Sequence, residues 1–262
     1  MGIINLTPDS FSDGGDFNNI EKALDQIKCF INHGVDIIDL GAQSTRPGAI
    51  EVGSEIELVR LLPTLREIKS QFPNLLISID TFHSDVAYEA LTNGADWIND
   101  VTGGRRDERI FDVVSEFNCP FVITHSRGNS QNMNDFEDYD NLISDIVDEL
   151  KFQTERALKK KIKNENIIWD PGIGFSKNTL QNIFILKNLN EIKKFGYPLM
   201  IGASRKRFIG DILSIKKPKE RDIGSLAISC LCSQMKIEII RVHNVKFNYQ
   251  ILKVADKIYR ED

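Results

Sequence analysis

No stretch of the chain approaches 18 consecutive apolar residues, so the sequence holds no candidate membrane-spanning helix. Its 4 cysteines (Cys29, Cys119, Cys230 and Cys232) are scattered and form no C-x-x-C pair, which reads as free thiols in a reducing compartment, the cytoplasm. Positive charge is not in excess: 33 Lys and Arg face 38 Asp and Glu for a net charge of −5, which argues against a nucleic-acid binder relying on bulk charge. The 17 glycines and 8 prolines are spread along the chain, which excludes a fibrous or low-complexity segment. The apolar start Met1-Gly2-Ile3-Ile4 is short and lacks a basic leader, so no signal peptide is expected. Leu6 stands where a myristoylation signal requires Ser or Thr. A P-loop, a dinucleotide fingerprint, an H-E-x-x-H zinc motif and a nucleophile elbow are all missing.

What remains is a chain of 262 residues, 41% of them hydrophobic, which is enough for a sizeable core. Short apolar runs at Gly2–Leu6, Val35–Leu40, Leu75–Asp80, Trp97–Asn99, Pro120–Thr124, Ile167–Trp169, Pro198–Ile201 and Ile237–Arg241 read as parallel strands covered on both faces. Amphipathic stretches lie between them, at Glu21–Asn32, Glu55–Gln71, Asn141–Lys160, Arg221–Met235 and Val245–Tyr259. In Glu55–Gln71 the stripe is Ile56, Val59, Leu62, Leu65 and Ile68, broadened by Leu58 and Leu61, with Ser54 as N-cap and Glu57 completing a capping box. Eight strand–helix units of roughly 33 residues each predict a (β/α)8 TIM barrel occupying residues 1–262 as one domain. An open doubly wound sheet is the runner-up. Met1 stands almost inside the first strand, the pattern of a domain cut from a longer or bifunctional chain.

Polar residues gather at the C-terminal ends of these strands: Asn5, Asp39 with Gln43–Arg46, Asp80, Asn99 with Asp100, His125, Asp170, Ser204–Lys206, and Arg241 with His243. In a parallel barrel these ends share one face and converge on one cavity. Asp80, Asn99 and Asp170 could pair with the N–H groups of a planar nitrogen heterocycle, and Lys206 could donate to its ring oxygen or nitrogen. Thr45, Arg46, Arg241 and His243 suit phosphate, and Asn5 offers an oxygen to a hard cation such as Mg²⁺. Plainer readings stay open, since Asp80 and Asp170 also read as caps or turn formers and Lys206 as a solvated lysine. His33 and His83 carry no assigned role.

The segment Asn5-Leu6-Thr7-Pro8-Asp9-Ser10-Phe11-Ser12-Asp13-Gly14-Gly15 resembles the opening signature of the dihydropteroate synthases. The likeness continues in order through Ser44-Thr45-Arg46-Pro47-Gly48, Ser78-Ile79-Asp80, Asn99-Asp100-Val101, Asp170-Pro171-Gly172-Ile173-Gly174-Phe175, Ser204-Arg205-Lys206 and Arg241-Val242-His243. The resemblance implies a TIM-barrel transferase of folate biosynthesis, a sulfonamide target, that joins 6-hydroxymethyl-7,8-dihydropterin pyrophosphate to 4-aminobenzoate. It implies a pterin site of Asp80, Asn99, Asp170 and Lys206, and a pyrophosphate site of Asn5, Thr45, Arg46, Arg241 and His243 with magnesium at Asn5. Thr45, Arg46, Pro47, Phe175 and Lys206 would then form the aminobenzoate subsite. Asp80, Lys206, Arg241 and His243 would be the catalytic residues, and the chain would form a homodimer through apolar faces such as Asn182–Leu189 and Arg221–Met235. A fused pyrophosphokinase is a further expectation for the natural chain.

The physical logic implied is a separation of charge. Asp80 and Asp170 would face the pterin, while Arg46, Arg241, His243 and Mg²⁺ would surround the departing pyrophosphate, so that C–O cleavage can run ahead of amine attack. Four positions depart from the family's commonest pattern: Gln43 replaces Glu, Ser126 replaces an apolar residue of the pterin's stacking wall, Asn244 replaces Asp, and Arg207 sets a second long cation beside Lys206. The rival activity is a pterin-binding methyltransferase barrel acting on methyltetrahydrofolate. A non-catalytic pterin-binding barrel is the other alternative.

Overall fold

The computed structural model describes residues 1–7, 16–44 and 48–260. Among these it has strands β1 (Gly2–Asn5), β2 (Ile37–Gly41), β3 (Leu76–Asp80), β4 (Trp97–Asp100), β5 (Phe121–Thr124), β6 (Ile167–Asp170), β7 (Met200–Ile201) and β8 (Ile239–Ile240). The helices are α1 (Asp16–Asn32), α2 (Ser54–Gln71), α3 (Ser84–Thr92), α4 (Arg109–Phe117), α5 (Leu142–Lys159), α6 (Thr179–Lys187), α7 (Leu189–Lys193), α8 (Arg207–Leu213), α9 (Asp222–Gln234) and α10 (Val245–Tyr259). None of them is long and apolar enough to cross a membrane.

Strands β1 to β6 pair in parallel in sequence order, and β7 pairs in parallel with β8. Two further parallel bridges join these ladders, Trp169 with Leu199 and Gly2 with Val242. The seams are completed by Trp169 N–H donating to Pro198 O at 2.9 Å, Ile3 N–H to Val242 O at 2.9 Å and Val242 N–H to Met1 O at 3.0 Å. The sheet therefore closes on itself, and the fold is a single-domain (β/α)8 TIM barrel, not an open doubly wound sheet.

Strand side chains alternate between two faces, and the alternation decides where the polar groups go. Outward positions such as Ile38, Leu40, Ile77, Ile79, Ile98, Phe121, Ile123, Ile167 and Trp169 are buried beneath the helices. Inward, Val122, Ile168 and Met200 form a separate apolar floor with Trp97 and Ile239 packed against it. With both faces covered, the strands read as near-continuous apolar runs. Nearer the strands' C-terminal ends the inward positions turn polar. Asn5 pairs with Gly41, Gly41 with Asp80 and Asp80 with Asn99, so these four occupy one register row.

Helix α10 has the bounds its periodicity predicts, and Asn244 caps it by accepting the Phe247 N–H at 3.2 Å. Helix α2 departs from expectation. Gly53 precedes it without a side-chain cap, so the Ser54–Glu57 capping box does not form. The buried face is Glu57, Leu61, Thr64, Leu65 and Ile68, while Ile56 and Val59 are exposed. A spacing of three drifts around a helix of 3.6 residues per turn, so it did not fix which face meets the sheet.

Glu57 is thus a buried carboxyl, with the Thr81 side chain and, at 3.9 Å, His83 Nε2 beside it. Burial pushes it up from an ordinary 4.5 to about 7. The folded state then holds a proton that the unfolded chain releases. The penalty is absent below about pH 4.5, grows as pH rises and is complete above about 7. Glu57→Gln is expected to stabilise the protein at pH 8 by about 3 kcal/mol more than at pH 4.5, read from urea midpoints at the two pH values. Equal effects at both would contradict the buried assignment.

Candidate active site

Inward parity brings Asp39, Ser78, Asp80, Asn99, Asp170 and Arg241 to one end of the barrel interior. Arg241 lies just past β8; its Nε donates to Asp39 Oδ2 and its Nη2 to Asp80 Oδ2, both at 2.6 Å. Ser78 Oγ donates to Asp39 Oδ1 at 2.6 Å, and Asn99 Nδ2 donates to Asp39 Oδ2 at 3.2 Å. Only the NH2 end of an amide can face a carboxylate, so the Asn99 side chain is fixed in orientation. Its Oδ1 is left buried with no hydrogen-bond partner among the described residues. Burial pushes the Asp80 carboxyl up, with Asp39 adding to the rise and Arg241 opposing it, while the two carboxylates hold the Arg241 guanidinium firmly protonated.

Asp170 ends β6, and its Oδ1 accepts the Gly172 N–H at 2.7 Å. A Cβ placed on Gly202 would lie 3.7 Å from Asp170 Oδ2 and 3.9 Å from Arg241 Cδ, so the two charged side chains flank one gap. Lys206 reaches the same place: its Nζ donates to Ile173 O and sits 4.0 Å from the Phe175 ring centroid. A Cβ on Gly174 would come 2.7 Å from Lys206 Cδ, and φ there is +78°, so only glycine lets the lysine pass. Burial pushes Asp170 up, opposed first by Lys206 and also by Arg241; burial lowers Lys206 to about 8, opposed first by Asp170.

The expected polarity therefore needs correcting. Arg241 faces Asp170 across the gap at Gly202, as expected, but it is bonded directly to Asp80, and to Asp39 beside it. A buried guanidinium satisfies its donors at the nearest carboxylates, and Arg241, just past β8, reaches across β1 to Asp39 on β2 and Asp80 on β3. Asp39 stands among the strand-end polar residues in the sequence, but no role is assigned to it there. A carboxylate inside the apolar run Ile37-Ile38-Asp39-Leu40 must be paired when buried, and that was the available signal. Asp100, adjacent to Asn99, has the opposite parity and is consumed by its turn, accepting from Thr102 N at 2.7 Å, Thr102 Oγ at 2.8 Å and Gly104 N at 2.7 Å.

The neighbouring segment is built on Asp222. It accepts Arg205 Nε at 2.6 Å and Nη2 at 2.9 Å, and Asn244 Nδ2 at 3.0 Å. Ser204 Oγ accepts the His243 N–H at 3.2 Å and lies 3.0 Å from its Nδ1. Asn244 thus serves both Asp222 and the cap of α10. The Arg207 side chain is 80% exposed and so points to solvent. Gln43 Oε1 accepts the Val52 N–H at 2.9 Å. Thr45, Arg46 and Pro47, together with 8–15 of the opening loop, lie outside the described residues.

A cavity of about 490 Å³ opens beside this cluster, lined by Val101, Ser126 and Phe175 and by the guanidinium-bearing Arg105, Arg106 and Arg127. Asp80, Asn99, Asp170 and Arg241 do not line it. Ser126 turns its hydroxyl to Val101 O at 2.7 Å, so the small side chain leaves space where a larger apolar one would stand.

The description "Pterin binding enzyme" belongs to a family model that matches residues 1–243. The chain belongs to this family of pterin-binding enzymes. It is 44% identical over 260 residues to a dihydropteroate synthase of Synechocystis, covering 99% of this chain and 90% of that one. It is 43% identical to a mitochondrial folate synthesis bifunctional protein of Pisum sativum, covering all of this chain but 53% of that one, so it spans about half that relative's length. A dihydropteroate synthase of Clostridium difficile, crystallised in the presence of pteroic acid, matches with a TM-score of 0.94 at 42% identity over 100% of this chain and 96% of that one.

Proposed function

We propose that the chain is a transferase of folate biosynthesis that joins 6-hydroxymethyl-7,8-dihydropterin pyrophosphate to 4-aminobenzoate, releasing pyrophosphate and forming 7,8-dihydropteroate. The observation that carries this reading is the orphaned, buried Asn99 Oδ1 beside Asp80 on the adjacent strand. A pterin edge presents neighbouring N–H donors, and Asn99, Asp80 and Asp170 supply the acceptors, with Lys206 donating to the ring. Kinship with named dihydropteroate synthases over almost the whole chain supports the same reading.

Arg241 and His243 take the departing pyrophosphate, helped by Asn5, Thr45 and Arg46. Arg241 neutralises Asp39 and Asp80 before substrate arrives, and substrate phosphate competes for its donors. Positive charge developing at the pterin's exocyclic methylene is stabilised by the nearby carboxylates, so C–O cleavage precedes amine attack and no covalent enzyme nucleophile is needed. Asp80, Lys206, Arg241 and His243 are the catalytic residues in this scheme. Aminobenzoate docks against Phe175, Lys206, Thr45, Arg46 and Pro47.

Magnesium is the proposed cofactor. Among the described residues no group of three or more His, Cys, Asp or Glu side chains could cage an ion, and an amide oxygen at Asn5 suits a hard cation held mainly by water and phosphate. Bound there, it would neutralise charge on the leaving pyrophosphate. The chain is further proposed to act in the cytoplasm as a homodimer. Exposed Leu180 and Phe184 on α6, Ile212 on α8 and Ile223 on α9 offer apolar surface for a second copy.

The test is turnover with both substrates, with and without Mg²⁺. Equimolar pyrophosphate and 7,8-dihydropteroate are expected, with activity lost on chelation. Methyl transfer from methyltetrahydrofolate without pyrophosphate release would point to the methyltransferase alternative.

A further inference from the structure

Behind the Asp170 turn lies a buried lysine that the reaction scheme does not use; burial, with Lys206 adding to it, pushes its ammonium well below the ordinary range, and Asp170 and Glu149 oppose the fall. Lys177 is 6% exposed, and its Nζ is surrounded by three acceptors: His125 Nδ1 at 2.8 Å, Gly172 O at 3.1 Å and Phe175 O at 2.9 Å. An ammonium group has three N–H donors, so this shell is complete. The turn it holds is pressed against β5. A Cβ on Gly172 would fall 1.8 Å from His125 O, and φ there is +71°. The His125 N–H in turn donates to Asp170 O at 2.9 Å.

The proton positions follow from the outer neighbour. His125 is fully buried, and its Nε2 lies 3.2 Å from Glu149 Oε2. Arg127 holds Glu149 ionised through Nε at 2.7 Å, and together with His125 it keeps that carboxyl down near 2. The contact lacks hydrogen-bond alignment, yet a carboxylate at that distance favours the imidazole proton on Nε2. Nδ1 is then an acceptor, and Lys177 must be the donor. A neutral amine accepting from Nδ1–H would leave two acceptors facing each other at Glu149. Burial, with Lys177 beside it, drives His125 down to about 3, so the ring stays neutral as this arrangement needs.

We infer that Lys177, oriented by His125 and Glu149, is a positioning residue that fixes the Asp170–Phe175 turn for pterin binding. It ties Gly172 O and Phe175 O to one point. That sets Gly172 N–H where it holds Asp170 Oδ1, and so aims Oδ2 at the ligand gap beside Gly202. This inference rests on the pterin reading above.

The test uses the full chain and 6-hydroxymethylpterin as the calorimetric probe at 10 °C, where affinity and the folded fraction are read separately. Wild-type protein must bind first; if it does not, the functional reading fails and the positioning inference falls with it. Lys177→Met is expected to weaken binding by at least tenfold in the folded fraction. If that variant does not fold, the decision passes to His125. His125→Asn keeps an acceptor for Lys177 and is expected to bind within about twofold of wild type, whereas His125→Leu removes it and should lose at least tenfold. A purely structural role would lower melting temperature while leaving the affinity of folded protein unchanged. Unchanged affinity in folded Lys177→Met, or equal affinities in the two His125 variants, would overturn the inference.

Discussion

Arg241→Ala is expected to lower turnover of the pterin pyrophosphate by about 10²–10³-fold, the range for removing one preorganised donor from a developing anion. Free pterin should lose less affinity, about tenfold, because Arg241 touches that ligand only through Asp80. The same substitution strips Asp39 and Asp80 of their shared counter-ion. Breaking a buried pair in this way costs about 3–5 kcal/mol, since a charge is left uncompensated. The sign with pH is definite. Without Arg241, which opposes the effect of burial on Asp80, that carboxyl rises further above its unfolded value, so this part of the stability loss is complete at high pH and fades as pH falls towards 4. Urea midpoints across pH check this, alongside steady-state kinetics. Equal losses for pterin pyrophosphate and free pterin would refute the assignment of Arg241 to the leaving group.

Asp170→Asn should weaken pterin pyrophosphate binding by about 100-fold in calorimetry. The geometry makes the direction specific. The Gly172 N–H at 2.7 Å demands an acceptor at the Oδ1 position, so the new amide must keep its oxygen there. Its NH2 then takes the Oδ2 position and meets a ligand N–H, donor against donor. The lost charge-assisted bond and the unsatisfied donor together account for about 3 kcal/mol. The change also removes the leading counter-charge of Lys206, so that ammonium should titrate below its present value of about 8. An unchanged dissociation constant would remove Asp170 from the pterin site.

The strands were legible because each apolar run ends at a polar residue, and that punctuation survives in the closed barrel. Boundaries were less so. Val35 and Asp36 precede β2, and the last two strands shrink to Met200–Ile201 and Ile239–Ile240, where single bridges replace longer ladders. The ordered motifs placed Asp80, Asn99, Asp170, Lys206 and Arg241 correctly at one end. The partnerships were not legible, because register sets them. Asp39 sits one inward step below the rim, so it reads as an interruption in a strand yet acts as the anchor for Arg241 and Asn99. In the sequence Lys177 is one more polar residue after the Asp170–Phe175 segment; only folding shows that its Nζ turns back to Gly172 O and Phe175 O. Ser126 was recognised as a departure, but the cavity that opens beside it depends on packing from Val101 and Phe175.

That cavity gives the most direct test of where the chemistry lies. A crystal soaked with 6-hydroxymethyl-7,8-dihydropterin pyrophosphate and Mg²⁺ is expected to show the pterin N–H edge on Asn99 Oδ1 and Asp170 Oδ2. Its phosphates should lie against Arg241 and His243. Density for the ligand in the cavity between Arg105 and Arg127, with Arg241 still bonded to Asp39 and Asp80 and Asn99 Oδ1 still unpartnered, would contradict it.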